Sequence, residues 1–201
     1  MQKITIRDIQ KFKDQRTPFA TVTAYDYVSA RIADAVEIPL LLVGDSAAMV
    51  VYGMDTTIPI SMEEMIFLVR AVCRGSNKSL VVADMPFMSY QASVEDAVRN
   101  AGRFVKEGGA EAVKLEGGRA YTAQIKAIID AGIPVMGHIG LLPQSYHLSS
   151  GYRIQGKTKL EAEKILTDAM AVQDSGSFSV VLEGIPANLA DKLTQKLDIP
   201  T

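Results

Sequence analysis

The hydrophobic positions of this chain fall into six short runs that alternate with longer amphipathic stretches. Each run is bounded by glycine, proline or aspartate and is short enough to be a β-strand. Because the runs are almost continuously apolar, they indicate parallel strands that are covered by helices. The predicted strands span residues 19–25, 39–45, 79–85, 111–117, 134–140 and 178–184.

The stretches between these runs carry signals for helix ends. Ser61 with Glu64, and Thr158 with Glu161, have the spacing of a capping box, and Ser93 is placed as an N-cap. Three helices are predicted to stop at glycines, at positions 108–109, 132 and 176. Residues 141–154 show no helical or strand period, so they predict a long loop of the kind that often covers a functional site.

Strands that alternate with helices fit two architectures, an open doubly wound sheet or part of a (β/α)8 barrel. The stretch after the first strand, TVTAYDYVSA, has no glycine, so the dinucleotide-binding fingerprint is absent there. The polar residues at the strand ends favour the barrel, of which about six of eight strands would be present. Residues 1–201 are expected to form one such domain, incomplete at its carboxyl end.

Composition narrows the class of protein. The formal net charge is −2 without a basic run, which argues against a nucleic-acid surface. No apolar stretch approaches the ~20 residues of a membrane helix, and the N-terminus lacks the layout of a signal peptide. The single cysteine, Cys73, excludes an internal disulfide framework. A cytoplasmic location is expected.

Every predicted strand carries polar or ionisable residues at its carboxyl end. They are Tyr25 and Asp26, Asp45 and Ser46, Asp84, Lys114 and Glu116, His138, and Glu183. Active sites of parallel α/β folds are built at that end of the strands. We therefore expect these side chains to share one polar pocket.

Each of these residues also has a structural interpretation. Asp45 and Asp84 could cap helices, and Lys114 with Glu116 could form a buried ion pair. His138 could be a core histidine with satisfied hydrogen bonds. Such explanations would have to hold at five strand ends at once, which favours the shared pocket.

The chemistry of the set points to a metal-assisted proton abstraction. Asp45, Asp84 and Glu116 supply only oxygen ligands, which suits Mg²⁺ better than Zn²⁺. Lys114 would attract a carboxylate or a developing oxyanion. Glu183, on a separate strand, is left as a general base whose pKa partial burial could raise. This combination predicts a metal-stabilised enolate formed next to a carbonyl.

Eight motifs, in order from about residue 5 to the end of the chain, closely resemble the ketopantoate hydroxymethyltransferase family. They are TAYDY (23–27), LLVGDS (41–46), MVVYGMDTTIPIS (49–61), ADMPFMSY (83–90), VKLEGG (113–118), GHIGLLPQS (137–145), GYRIQG (151–156) and LEGIP (182–186). One such motif alone would be weak, but eight in register are highly specific.

The resemblance implies a TIM-type barrel of the phosphoenolpyruvate/pyruvate superfamily and a Mg²⁺-dependent transferase. Its reaction moves a hydroxymethyl group from 5,10-methylenetetrahydrofolate to 3-methyl-2-oxobutanoate and gives 2-dehydropantoate, in pantothenate biosynthesis. It also implies a ring-forming homo-oligomer, decameric in well-known members. Members of the family continue past the end of this chain with further strands.

The resemblance also assigns roles to residues of the metal and substrate site. Asp45 and Asp84 match metal ligands, and Glu116 matches a residue that completes the metal site through water. Asp45, Ser46, Asp84 and Lys114 match the positions that hold the 2-oxo acid.

Two further residues match catalytic positions of the family. Glu183 corresponds to the proposed base, and His138 corresponds to a histidine near the substrate. The implied mechanism is chelation of the 2-oxo acid, loss of its C3 proton, and attack of the enolate on the methylene group.

Two other functions stay open at this point. One is a Mg²⁺-dependent lyase of the same superfamily, of the isocitrate-lyase or phosphoenolpyruvate-mutase kind. Those lyases often carry a cysteine in an active-site loop, and the position of Cys73 within a predicted helix argues against them. The other is a non-catalytic barrel that lacks its last strands.

Overall fold

The alternating pattern of the sequence forms a curled parallel sheet, a half-barrel with helices on its outer face. A computed structural model describes residues 3–201; residues 1 and 2, which belong to the predicted domain and N-terminal stretch, lie outside it. The strands pair in chain order. They are β1 (Thr21–Thr23), β2 (Leu40–Val43), β3 (Leu80–Asp84), β4 (Ala112–Glu116), β5 (Val135–Gly140) and β6 (Ser179–Glu183).

Eight α-helices are present in the described part of the chain. They are α1 (Ile6–Asp14), α2 (Tyr27–Ala35), α3 (Ala47–Val50), α4 (Met62–Gly75), α5 (Val94–Arg103), α6 (Thr122–Asp130), α7 (Lys159–Asp174) and α8 (Ala187–Lys196). A π-helical turn, Phe104–Gly108, extends α5, and the segments Arg119–Tyr121 and Pro143–Ser145 are 3-10 turns. All six predicted strands are confirmed, each shorter than its hydrophobic run because residues at the ends of the runs lie outside the paired segments.

The predicted helix caps are confirmed where the sequence indicated them. Capping boxes open α4 at Ser61 with Glu64 and α7 at Thr158 with Glu161. The Ser93 side chain accepts a hydrogen bond at the start of α5. These side chains satisfy amide groups that have no partner within the first turn of a helix, and so fix where each helix begins.

Asp26 is used differently from the expectation that all strand-end residues share a pocket. Its carboxylate accepts hydrogen bonds from the backbone amides of Val28 (2.7 Å) and Ser29 (2.9 Å) and thereby caps α2. A carboxylate at this end of a helix also interacts favourably with the helix dipole. Asp26 therefore belongs to the helix start and not to the polar pocket.

The inner face of the sheet has two layers. Toward the amino ends of the strands it is apolar, and α1 covers it with the fully buried Ile9. The buried strand residues of that layer are Leu40, Leu80, Val82, Ala112 and Met136. Side chains alternate along a strand, so the next inward positions of β4 are Lys114 and Glu116, whereas Val113 and Leu115 face the helices. Lys114 and Glu116 belong to the second layer, toward the carboxyl ends of the strands, which we call the polar layer.

Burial also varies across the sheet. Every residue of β3 and β4 is buried, whereas two of the three residues of β1 are exposed. In the described residues the sheet stays open, because β1 pairs only with β2 and β6 only with β5. The polar layer is therefore built on the best-buried strands at the centre of the sheet.

Asp34 fixes the turn that leads from α4 into β3. Its Oδ1 accepts hydrogen bonds from the backbone amides of Asn77 (3.0 Å), Lys78 (2.7 Å) and Ser79 (3.1 Å), and from the Ser76 hydroxyl (3.1 Å). Burial raises the pKa of Asp34, but these hydrogen bonds outweigh it and lower the pKa from 3.8 to about 2. The ionised carboxylate thus stabilises the turn.

We expect Asp34→Ala to lower the free energy of unfolding by about 1–3 kcal/mol, because buried amides lose their acceptor. Asp34→Asn keeps one acceptor oxygen and should lose less. The pKa of Asp34 is lower in the folded state than in the unfolded state. Its contribution to the free energy of unfolding is therefore complete above pH 3.8 and is lost as pH falls toward 2. Urea unfolding at pH 7 and pH 2.5 measures both effects; equal stability of wild type and Asp34→Ala at pH 7 would contradict the assignment.

Candidate active site

A buried ion pair forms the floor of the polar layer. Asp84 and Lys114 are register partners on β3 and β4, and Lys114 Nζ donates to Asp84 Oδ1 at 2.7 Å. Both side chains are almost fully buried: 5% of the Lys114 side chain and 3% of the Asp84 side chain are exposed. The alternative in which Lys114 pairs directly with Glu116 on its own strand is wrong, because the Lys114 ammonium group pairs with Asp84 on the neighbouring strand β3. The neighbouring carboxylates, Asp84 first among them, raise the pKa of Lys114 and keep it charged despite burial.

Asp45 meets this pair from the end of β2. Its backbone amide donates to the free oxygen of Asp84, Oδ2, at 3.1 Å. Burial and the nearby charge of Asp84 raise the pKa of Asp45 to about 7. The capping interpretation of Asp45 and Asp84 is wrong, since both carboxylates point into the polar layer instead of toward helix amides.

The residues beside Asp45 shape the wall of the site. A side chain at Gly44 would place its Cβ 2.8 Å from Ser46 Oγ, so the serine hydroxyl would have to move from its present position. Ser46 Oγ lies 2.8 Å from the hydroxyl of Tyr25, which comes from the end of β1. Ser46 occupies the N-cap position of α3 but its side chain makes no capping hydrogen bond. Its hydroxyl is therefore oriented by Tyr25 and not by the helix.

Glu116 and His138 lie opposite each other on β4 and β5. The oxygen Oε1 of Glu116 is buried without a hydrogen-bond partner, and it lies 3.7 Å from His138 Nδ1. Burial raises the pKa of Glu116 to about 8, with Asp45 and Asp84 adding to the effect and Lys114 opposing it. An unpaired buried oxygen of this kind is costly unless a ligand completes it.

Glu183 reaches the same space from the end of β6. Its Oε2 lies 3.1 Å from His138 Nε2, and 41% of its side chain is exposed. Burial, followed by the charge of Lys114, lowers the pKa of His138, so the imidazole is neutral at neutral pH. Burial raises the pKa of Glu183, but its contact with His138 and the charge of Lys114 outweigh this and lower it. The expectation of a raised pKa at Glu183 is wrong.

These side chains suit a divalent cation bound partly by water. The polar layer contains the buried carboxyl groups of Asp45, Asp84 and Glu116 but the ammonium group of Lys114 alone to balance them. It therefore carries excess negative charge when all three carboxyl groups are ionised. Within residues 3–201, no three carboxylate, imidazole or thiol groups are close enough to coordinate one ion together. Mg²⁺ is usually held by one or two carboxylates with water and substrate filling the other positions. The all-oxygen donor set and the orphaned Glu116 oxygen fit that arrangement.

Gln144 and Tyr90 are central to the site, although the sequence did not single them out. Gln144, in the loop after β5, is only 5% exposed and donates from Nε2 to Asp45 Oδ2 at 2.9 Å. The Tyr90 hydroxyl lies 2.9 Å from Gln144 Oε1 and from the backbone oxygen of Glu116. An amide and a phenol in loops have no characteristic spacing, so only their three-dimensional neighbours reveal them.

The predicted loop over residues 141–154 is confirmed, with one 3-10 turn as its only regular segment. Three of its aromatic side chains lie together: the Tyr146 ring is 5.1 Å from that of Tyr152 and 5.6 Å from that of His147. The Tyr152 hydroxyl lies 3.5 Å from Met49 Sδ, so the loop reaches α3 beside Ser46. This loop therefore borders the polar layer on its solvent side.

The fold of the chain is similar to several solved structures. It matches 2,3-dimethylmalate lyase, described as a PEP mutase/isocitrate lyase superfamily member, with a TM-score of 0.71 and 17% identity over 98% of this chain and 68% of that one. It also matches a phosphonopyruvate hydrolase complex with oxalate and Mg²⁺, with a TM-score of 0.69 and 12% identity over 95% and 67% of the two chains. These matches confirm the predicted TIM-type fold, of which this chain forms a curled half-barrel of six parallel strands.

Relatives with far higher identity carry a single name. A 3-methyl-2-oxobutanoate hydroxymethyltransferase of Carboxydothermus hydrogenoformans is 54% identical over 100% of this chain and 73% of its own length. The protein of that name from Geobacter metallireducens is 52% identical over 100% of this chain and 75% of its length. The family model described as ketopantoate hydroxymethyltransferase matches residues 3–201. With the Asp45, Asp84 and Lys114 cluster in place, the chain belongs to the ketopantoate hydroxymethyltransferase family.

Proposed function

We propose that this chain is a hydroxymethyltransferase that acts on 3-methyl-2-oxobutanoate, the substrate in the names of its relatives, and forms 2-dehydropantoate for pantothenate biosynthesis. The proposed one-carbon donor is 5,10-methylenetetrahydrofolate. The observation that carries the proposal is the convergence of Asp45, Asp84, Lys114 and Glu183 at one end of the sheet, in a chain matched throughout by the family.

We also propose that the site uses Mg²⁺, held by Asp45 and Asp84, with Glu116 acting through water. The donor chemistry supports this, as does a phosphonopyruvate hydrolase of the same fold that is described in complex with oxalate and Mg²⁺. When bound, the cation would polarise the oxygens of the 2-oxo acid and acidify its C3–H bond. Ser46, whose hydroxyl is oriented by Tyr25, would hold the substrate beside it.

The remaining charged residues supply the proton transfer. Lys114 stays protonated and would stabilise negative charge that develops on the substrate oxygen when C3 loses its proton. Glu183 is ionised at neutral pH and half-exposed, so its carboxylate can accept that proton. The enolate carbon would then attack the methylene carbon of the folate donor, forming a C–C bond as one of the two C–N bonds to that carbon breaks. Water would replace the second folate nitrogen and leave its oxygen as the new hydroxyl group. The proton taken from C3 and one proton of the water end on the two nitrogens, so that tetrahydrofolate is released.

The lyase alternative has less support. The lyase structures share its fold, but at 17–19% identity they say nothing about the reaction. Cys73 lies within α4, beside Gly109 on the outer side of the sheet, and burial raises the pKa of its thiol to about 11. A thiol of that pKa outside the polar layer is a poor candidate for an active-site cysteine.

Isothermal titration of the chain with 3-methyl-2-oxobutanoate tests this proposal. We expect binding in the presence of Mg²⁺ and none after its removal with a chelator, because the 2-oxo acid would complete the cation's shell. The control ligand 3-methylbutanoate lacks the 2-oxo group and should bind weakly in both conditions. A folded chain that binds the 2-oxo acid equally well with and without Mg²⁺, or not at all, would contradict the proposal.

Assembly and location stay predictions. A homo-oligomer, decameric by the family resemblance, is supported by an apolar row on α2 and the residue that follows it. Val28, Ile32 and Val36, spaced by four residues, are 63%, 62% and 68% exposed. A row of this kind is unusual on a monomer surface and suits contact with another copy.

Among the described residues, no helix is both long and apolar enough to cross a membrane; a cytoplasmic location remains our expectation.

A further inference from the structure

We propose that Gln144 is a positioning residue that fixes which carboxylate oxygens of Asp45 and Glu116 face the cation. The inference rests on the proposed function, since it concerns the same Mg²⁺ site. It assigns to the loop after β5 a part in cation binding, although the loop supplies no ligand of its own.

Both ends of the Gln144 side-chain amide lie against polar partners. Its Nε2 donates to Asp45 Oδ2 at 2.9 Å and to the backbone oxygen of Met85 at 2.8 Å. Its Oε1 accepts from Gln91 Nε2 at 2.9 Å and lies 2.9 Å from the Tyr90 hydroxyl, whose one proton is shared with the backbone oxygen of Glu116. A planar amide held at both ends has one orientation only, and the Met85 carbonyl determines which end is the donor.

The backbone of Gln144 holds the second carboxylate. Its amide donates to Glu116 Oε2 at 3.0 Å. The two contacts occupy one oxygen on Asp45 and one on Glu116. The other oxygen of Glu116, Oε1, is the one that remains buried without a partner. Gln144 therefore joins the ends of β2 and β4 and leaves a defined set of oxygens free for the cation and its water.

The chemistry of an amide suits this position. A lysine or arginine at 144 would neutralise the carboxylates and compete with a cation, as Lys114 already does at Asp84 Oδ1. A carboxylate would add repulsion to a layer that already carries excess negative charge. A neutral donor orients Asp45 without changing its charge. Residues that hold metal ligands in this way affect cation affinity without touching the ion.

Mg²⁺ titration of Gln144→Met, without substrate, tests the proposal. Methionine keeps the volume and the backbone amide but loses the side-chain contacts to Asp45, Met85, Tyr90 and Gln91. We expect Mg²⁺ to bind about 10–100-fold more weakly, the usual effect of losing a residue that orients a metal ligand. The matched control is Gln155→Met, just after that loop. Among residues 3–201 its side chain bonds only to the backbone oxygen of Arg153, so the variant should bind Mg²⁺ as the wild type does.

A second readout is the rise in melting temperature that Mg²⁺ causes, which should shrink in Gln144→Met and not in Gln155→Met. If the methionine variant fails to fold, Gln144→Asn is used for the same measurement. Asparagine keeps the amide group but is one methylene too short to keep the contacts at both ends of that group. Wild-type affinity for Mg²⁺ in a folded Gln144 variant would overturn the inference. A wild-type chain that binds no Mg²⁺ would instead refute the metal part of the proposed function.

Discussion

Glu183→Gln is expected to slow exchange of the C3 proton of 3-methyl-2-oxobutanoate with D₂O by about 10²–10⁴-fold, the usual cost of losing a general base. Mg²⁺-dependent binding of the substrate should stay close to that of the wild type, because Glu183 stands at the end of β6 and contacts His138 instead of the proposed cation ligands. Exchange is followed by NMR of the isopropyl group, and binding by calorimetry.

The control for this experiment is Glu163→Gln, an exposed carboxylate on α7 that lies outside the polar layer. It should exchange the proton at the wild-type rate. If Glu183→Gln exchanges normally, or if it loses substrate binding altogether, Glu183 is not the base. His138, which is neutral and 3.1 Å from Glu183, would then be the next candidate.

Asp84→Asn is expected to abolish Mg²⁺ binding at concentrations that saturate the wild type and to weaken binding of the 2-oxo acid with it. It should also lower the free energy of unfolding by about 3 kcal/mol, because Lys114 is left buried without its closest counter-ion. Calorimetry and urea unfolding, both with and without Mg²⁺, measure the two losses separately.

The double variant Asp84→Asn with Lys114→Met separates stability from ligand binding. Removing both charges of a buried pair often restores stability, so the double variant should unfold at a higher urea concentration than Asp84→Asn alone. It should still not bind Mg²⁺. Restored Mg²⁺ binding in the double variant, or unaltered binding in Asp84→Asn, would show that Asp84 is not a ligand.

The sequence predicted the frame of the site because its signals are local. Gly, Pro and Asp punctuate each strand, and the alternation Ala112, Lys114, Glu116 places two charges on one face whatever the rest of the fold. Parallel strands then bring their carboxyl ends to one edge. The strands and the polar ends of β2 to β6 could therefore be read from the chain alone.

The partners within the site could not be read in this way. Lys114 and Glu116 are two residues apart on one strand, which separates them by about 6.6 Å, whereas register partners on adjacent strands lie about 4.8 Å apart. The register that sets Asp84 opposite Lys114 depends on the whole sheet. Gln144 was missed for a related reason, since its partners come from three different segments of the chain.

Two other features of the fold went unpredicted, for different reasons. Asp26 resembles the other strand-end carboxylates, yet the helix that follows it takes its side chain as a cap. The spacing of Ile6, Ile9 and Phe12 indicates a helix with an apolar face. It does not indicate that this face covers the apolar layer of the sheet, because that depends on the path of the chain after residue 14.

The gradient of burial across the sheet divides the site by its capacity for local opening. Asp84, Lys114, Glu116 and His138 stand on β3 to β5, where opening requires the disruption of fully buried strands and has a free energy close to that of global unfolding. Within the loop, Gln144 is buried and anchored, whereas residues 147–154 are partly or fully exposed and can open at low cost. The charged centre and Gln144 can therefore keep their geometry through each turnover while residues 147–154 move to admit substrate and release product.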